Sequence, residues 1–373
     1  MKPFWKGILL LLALDFWLSP GPLRAATVSW DGGAPGGANG WGHNNNWNPN
    51  GDPASGSDLF MTGGAKLTNN IAAGGVTRNY NSITFGPNAL GSFLIGGGAV
   101  TNGAGGITID SLNFSQSMTN TSFVLGASQT WAANSNNFSI SAAVDLQANT
   151  LTLNGPKDVT ISGAINGTGA LTKSGAGTNT LSGASANTFS GATTINAGMV
   201  ILQKTAGVDA IAGNVTINTG GTLLLGADNQ INITGNMTLA GGEFDTGSFD
   251  ETLGTLTLTV NSTIDMTTAG GSTINFADSS AVAWTGGATV EITGYDSTDD
   301  AIYFGAASSG LAGSQVAQVK FRDPAGRPAG LYDAAILSDG RVVPVPEPAT
   351  LLAGGVLAGL LAWRERRRRS TGW

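Results

Sequence analysis

The sequence contains no cysteine and only one histidine. That excludes a disulfide framework, a thiolate metal site and a cysteine nucleophile. A histidine-based zinc site or a serine–histidine–aspartate triad would have to rely on His43. Charge is scarce too. Asp, Glu, Lys and Arg make up 11% of the chain, against roughly 25% in an average soluble domain. The formal net charge of −7 argues against nucleic acid as a partner. No cofactor is expected from these residues. Two things are abundant: glycine, with 57 of 373 residues, and asparagine, with 30 against 7 lysines.

Long apolar runs are confined to the ends. Residues 1–26 read as a secretory signal peptide. Lys2 and Lys6 open it, and Ile8 to Leu14 are continuously apolar. Pro20, Gly21 and Pro22 break the helix before the small residues Ala25 and Ala26. Leu23 and Arg24 leave the cut open between 25 and 27, and an uncleaved signal anchor is the alternative.

The other end is more specific. Val343-Pro344-Val345-Pro346-Glu347-Pro348 precedes an apolar stretch, about 349–363, followed by Arg364, Arg366, Arg367, Arg368 and Arg369. Each arginine costs several kcal/mol at bilayer depth, so the cluster stays cytoplasmic and the body stays outside. This predicts a single C-terminal transmembrane helix. Its 15 residues make roughly 22 Å of helix, short of a hydrocarbon core of about 30 Å. The prolines around Glu347 hold the segment extended, accessible to a processing enzyme. A permanently anchored protein is the plainer alternative.

Motif, short helix and arginine cluster, in that order, make the segment 344–373 resemble the PEP-CTERM sorting signal. The resemblance implies a Gram-negative, exopolysaccharide-producing host. It also implies that a membrane exosortase, a cysteine transpeptidase-like enzyme, removes the tail. The site residues it assigns are the sorting motif Val345, Pro346, Glu347 and Pro348, with the five arginines as topology signal. The membrane is then a transient partner, and the destination is the cell surface or extracellular matrix.

Between the ends lies an acidic body. Segments 1–26 and 344–373 carry +2 and +3, which leaves −12 on 27–343 from a whole-chain −7. Its rhythm is short alternating runs such as Leu151-Thr152-Leu153, Val159-Thr160-Ile161, Val215-Thr216-Ile217, Ile231-Asn232-Ile233 and Met237-Thr238-Leu239. Alternation puts the apolar residues on one strand face, and the Gly and Asn between them form turns. A sandwich or barrel fits this rhythm, as does a parallel β-helix. Short strands, few charges and many Asn and Thr favour the β-helix. Its stacked coils place like residues above one another, where repeated charges would repel.

The fold class is therefore all-β: a parallel β-helix (solenoid) with a C-terminal cap. The divisions are an N-terminal cap region 27–82, repeats 83–280 and a C-terminal cap 281–343, with one short helix within Gly310 to Phe321. Residues from Gly167 through Gly191-Ala192-Thr193-Thr194-Ile195 to Val200 resemble the autotransporter-associated β-strand repeat, a β-helix element. Asn179 departs from that pattern, because an apolar residue is usual there, and suggests a rim position or a slipped coil. Trp30, Trp41 and Trp47 are suited to cap the first coil.

Candidate chemistry is sparse. His43 reads as a loop residue. Asp296, Asp299 and Asp300 could hold Ca²⁺ or form a solvated loop. Glu243, Asp245, Asp250 and Glu251 suggest either a glycosidase pair or a solvated turn.

The reading favoured is a non-catalytic, exported surface or matrix protein that offers a neutral polar face to exopolysaccharide or another glycan. The alternative is a β-helix polysaccharide lyase or glycoside hydrolase. An autotransporter passenger is rejected, because the chain ends in one short helix and not in a membrane barrel.

Overall fold

The computed structural model describes residues 26–31, 44–63, 69–70, 77–89, 91–266 and 270–345. The segment up to residue 25 expected as a signal peptide, His43, Trp41 and everything after Val345 lie outside the described residues.

Alternation is realised strand by strand. In Leu151–Asn154 the two leucines are buried and Thr152 faces out. Val159–Ile161, Thr193–Ile195 and Val215–Asn218 repeat the pattern. These strands are too short to stand alone, and each is secured by pairing with the strand one coil away. Leu151 pairs with Leu171, Leu171 with Thr193, Thr193 with Val215 and Val215 with Met237, all parallel, at intervals of 20, 22, 22 and 22 residues. That is a stack of coils, a parallel β-solenoid with almost no helix.

Two long sheets run along the rod, one a path of 12 strands and the other of 14. A shorter third face closes the cross-section. It contains Ser122–Leu125, Ala143–Asp145 and Ile165–Asn166 early on. Later it consists of Glu251–Leu253, Thr273–Phe276 and Ala301–Phe304. Side chains from the three faces meet at the axis. Trp131 touches Phe123 edge-on at 5.3 Å and Phe138 at 5.8 Å between ring centroids. Burying one such side chain stabilises the fold by about 1.5–3 kcal/mol.

Register gives each outward column its character. On the first sheet one column consists of Thr130, Thr152, Thr172, Thr194, Thr216, Thr238 and Thr257, each paired with the next. On the second sheet the column Ser117, Ser139, Thr160, Thr180, Ile201, Leu224, Asp245, Asp265 passes from hydroxyl to aliphatic to acidic.

The ends are covered differently. Thr27–Trp30 already pairs in parallel with Ser57–Met61, so the ladder begins inside the segment expected as an N-terminal cap. Trp47–Asn48 folds back antiparallel over its open edge, and Trp30 and Trp47, both buried, meet edge-on at 5.0 Å. At the far end Leu331–Ile336 and Val342–Pro344 switch to antiparallel pairing and close the second sheet. The helix expected near Gly310 to Phe321 is a single turn, Gly313–Val316. Among the described residues no helix is long and apolar enough to cross a membrane. The expected span at 349–363 lies outside them.

Two local expectations are corrected. Asn179 is neither at a rim nor in a slipped coil. It is buried, points inward, and pairs in unbroken register with Val159 and Val200. Ile231-Asn232-Ile233 is not a strand. Ile231 makes one bridge to Ile211, and Ile233 is 65% exposed. The Asn232 carboxamide oxygen accepts the Thr234 N–H, and the Asn232 carbonyl accepts that of Gly235, so the chain turns there instead of extending.

Candidate functional site

The rod is fastened up to the edge of the sorting motif. The Val345 N–H donates to the Asp333 carbonyl at 2.9 Å, and the Arg327 guanidinium donates to the Pro344 carbonyl at 2.9 Å. Arg341 ties the same hairpin to the body. Its guanidinium donates to the carbonyls of Asp300 (2.7 Å) and Ser297 (3.2 Å) and to the Tyr295 hydroxyl (3.2 Å). Of the motif residues only Val345 is described. Pro346, Glu347, Pro348, Arg364, Arg366, Arg367, Arg368 and Arg369 lie beyond it. The described residues thus reach into the start of the motif, and Pro344 belongs to the closing strand Val342–Pro344.

The second candidate is on the outer face of the second sheet. A shallow groove of about 350 Å³ lies against the hydroxyl stretch of the acidic-ended column, between Ser139, Thr160 and Thr180 and the corner residues Asn137 and Asp158, with Ile201 at one end. Two coils further on, carboxylate oxygens of Glu243, Asp245 and Asp265 lie within 4.8 Å of one another. Burial raises the Glu243 pKa, and the charges of Asp265 and Asp245 raise it further. Burial also raises the Asp245 pKa. The Gly247 N–H, which donates to its carboxylate at 2.9 Å, works against this, and Asp265 works with it. Next along the face, Glu291 is paired with Arg322, and Lys320 with Asp333. Three crowded carboxylates, two of them, Glu243 and Asp245, with raised pKa values, suit a hard cation or proton transfer.

The four acidic residues grouped in the sequence thus separate. Glu243 and Asp245 face outward on one strand. Asp250 sits at an exposed corner and accepts the Thr273 N–H at 2.7 Å. Glu251 is fully buried, and its carboxylate accepts N–H groups from Gln230, Ile231 and Thr252. Burial raises its pKa to about 7. Asp265, the third member of the outer trio, was not singled out from sequence. Its signal is the coil length: 20 residues beyond Asp245, it falls directly beside it.

Asp296, Asp299 and Asp300 do not form a ligand set. Asp300 is buried and accepts the N–H groups of Ser272 and Asp296 at 2.8 and 2.7 Å. Asp296 accepts both the N–H and the hydroxyl of Thr298, which lowers its pKa. Two lysines are also interior. Lys173 donates to the Gly175 carbonyl, and Lys204 to the Ser182 carbonyl at 2.9 Å. Burial lowers each pKa to about 8, with Asp158 opposing the shift at Lys173.

Comparison with known families places two segments. Residues 171–202 match the passenger-associated-transport-repeat family. These residues make up strands Leu171–Lys173, Thr178–Gly183, Thr193–Ile195 and most of Gly198–Lys204, about one and a half coils of the rod. Residues 344–368 match the PEP-CTERM protein-sorting motif, a C-terminal signal of proteins exported by Gram-negative bacteria. No curated protein and no solved structure matches the chain.

Proposed function

We propose that this is a non-catalytic rod of the cell surface or extracellular matrix, released from a transient inner-membrane anchor by an exosortase and associated with exopolysaccharide or another surface glycan. The observation that carries the reading is the junction at Val345, where the closing hairpin of the solenoid meets the residues matched as the sorting motif. A body capped at both ends is a finished object before the tail is cut. The groove on the second sheet offers hydroxyl and amide groups beside the aliphatic Ile201, which suits a sugar chain. Intact-mass analysis of the surface fraction tests the sorting step. A species ending near the motif is expected, whereas one extending to Trp373 would refute it.

One observation favours a second reading, a glycan-cleaving enzyme: the trio Glu243, Asp245 and Asp265, in which Glu243 and Asp245 have raised pKa values. Incubating the protein with the host's own polysaccharide separates the two. Release of reducing ends or unsaturated uronates that is lost in Glu243→Gln would establish the enzyme. Binding without release supports the rod.

A further inference from the structure

The threonine column on the first sheet has no role in the function proposed above. Its seven members pair coil to coil from Thr130 to Thr257 with no register shift between them. None is buried, and none of their hydroxyls has a hydrogen-bond partner among the described residues. The row therefore presents unspent donors and acceptors. Neighbouring strands repeat at about 4.8 Å, so the row extends for roughly 29 Å. Threonine is branched at Cβ and stiff at χ1, which fixes hydroxyl and methyl alike along the row.

Columns on either side extend the row into a two-dimensional net up to Ala240, where a register shift sets Val260 opposite it. The positions two residues before and after each threonine carry only Ala, Ser, Thr and Asn, and none of them is buried. Thr152 is followed by Asn154, Thr194 by Asn196 and Thr216 by Asn218, at a spacing of roughly 6.6 Å along the strand. Asn218 donates its amide to the Asn196 carboxamide oxygen at 2.7 Å, which holds that flanking column in line. None of the three columns contains a charge, on a body carrying −12 overall. None contains an aromatic ring on which a sugar could stack.

We propose that this threonine face binds ice. The matching surface is a neutral, periodic lattice of water, and an ice crystal exposes oxygen rows in a near-rectangular net of similar dimensions. Rigid hydroxyls at lattice spacing replace water oxygens of the outer layer. The methyl groups between them exclude disordered water, and no charged group holds a competing hydration shell. A sugar chain is less suited, because the face lacks stacking rings.

Ice-affinity partitioning of the full chain in mild detergent tests this, with a labelled non-binding protein of similar size in the same vessel. Wild type is expected to enrich in the ice several-fold over that reference. Thr194→Tyr and Thr216→Tyr, which project a ring from the middle of the row, are expected to lose the enrichment. Thr194→Val, which keeps the shape, is expected to weaken it and guards against misfolding of the bulky variants. Thr119→Tyr, exposed on the second sheet and away from the groove, is expected to leave it unchanged. Wild type partitioning like the reference would overturn the proposal, as would equal losses in Thr119→Tyr and Thr194→Tyr. Retention on an uncharged glycan matrix that Thr194→Tyr abolishes, without ice enrichment, would overturn it in favour of a sugar chain.

Discussion

Glu251 and Gln230 are bonded across adjacent coils: the Glu251 carboxylate accepts the Gln230 N–H at 2.7 Å, where the chain turns onto the third face. At this corner the backbone of one coil has no carbonyl opposite it, and a buried carboxylate takes its place. Protonation of Glu251 is therefore linked to folding.

Its folded pKa of about 7 lies above the ordinary 4.5. The folded state binds more protons than the unfolded state between those values, so stability falls as pH rises through that window. Thermal unfolding followed from pH 4.5 to 7.5 is expected to show a falling Tm. Glu251→Gln is expected to flatten the slope without abolishing it, because Asp300, Glu243 and Asp245 are shifted in the same direction. An unchanged slope would contradict the assignment.

Lys173 and Lys204 have the opposite sign. Their folded pKa values of about 8 lie below the ordinary 10.5. The unfolded state then binds more protons between pH 8 and 10.5, and stability rises with pH in that range. Lys173→Met and Lys204→Met are each expected to reduce this rise in denaturant titrations at pH 8 and 10.

Coils approach each other most closely at glycines. A Cβ at Gly163 would collide with the Ala142 carbonyl of the preceding coil, whereas one at Gly313 meets open space. Gly163→Ala is expected to cost about 1–3 kcal/mol, and Gly313→Ala to stay within about 0.5 kcal/mol. Chemical denaturation of the two variants makes the comparison.

Within the carboxylate trio, Asp265→Asn removes a neighbouring charge from both Glu243 and Asp245. Their pKa values are expected to fall, and carboxyl-resolved NMR titration reads the shift directly. No movement would mean that the Asp265 charge does not contribute to them.

In the tail, Glu347→Ala, or Pro346 and Pro348 exchanged together, is expected to leave the protein in the inner membrane with its C-terminus intact. Neutralising Arg364, Arg366, Arg367, Arg368 and Arg369 is expected to blur topology instead. Membrane fractionation followed by intact mass distinguishes the two outcomes.

The solenoid was legible where alternation is strict. Leu151-Thr152-Leu153 and Met237-Thr238-Leu239 read as strands and are strands. Ile231-Asn232-Ile233 has the same pattern and fails, because Asn232 spends its oxygens on a turn. The interior charges were not legible. Lys173, Lys204 and Glu251 look solvated in a polar sequence, yet each fills a corner where a backbone group of its own or a neighbouring coil lacks a partner. The outer trio was half legible, since Glu243 and Asp245 stand together while Asp265 joins them only through the coil repeat.

The ladder also sets an order of assembly. Nearly every strand of the rod finds its partner on the coil before it, about 20 residues upstream. A chain entering the exterior N-terminus first can therefore add each coil to a finished one as it emerges, with no wait for distant sequence. The closing hairpin Leu331–Ile336 and Val342–Pro344 comes last in the chain among the described strands, and the residues matched as the sorting motif begin at its final strand. A motif placed there emerges after every described coil, so position alone makes it a completion mark.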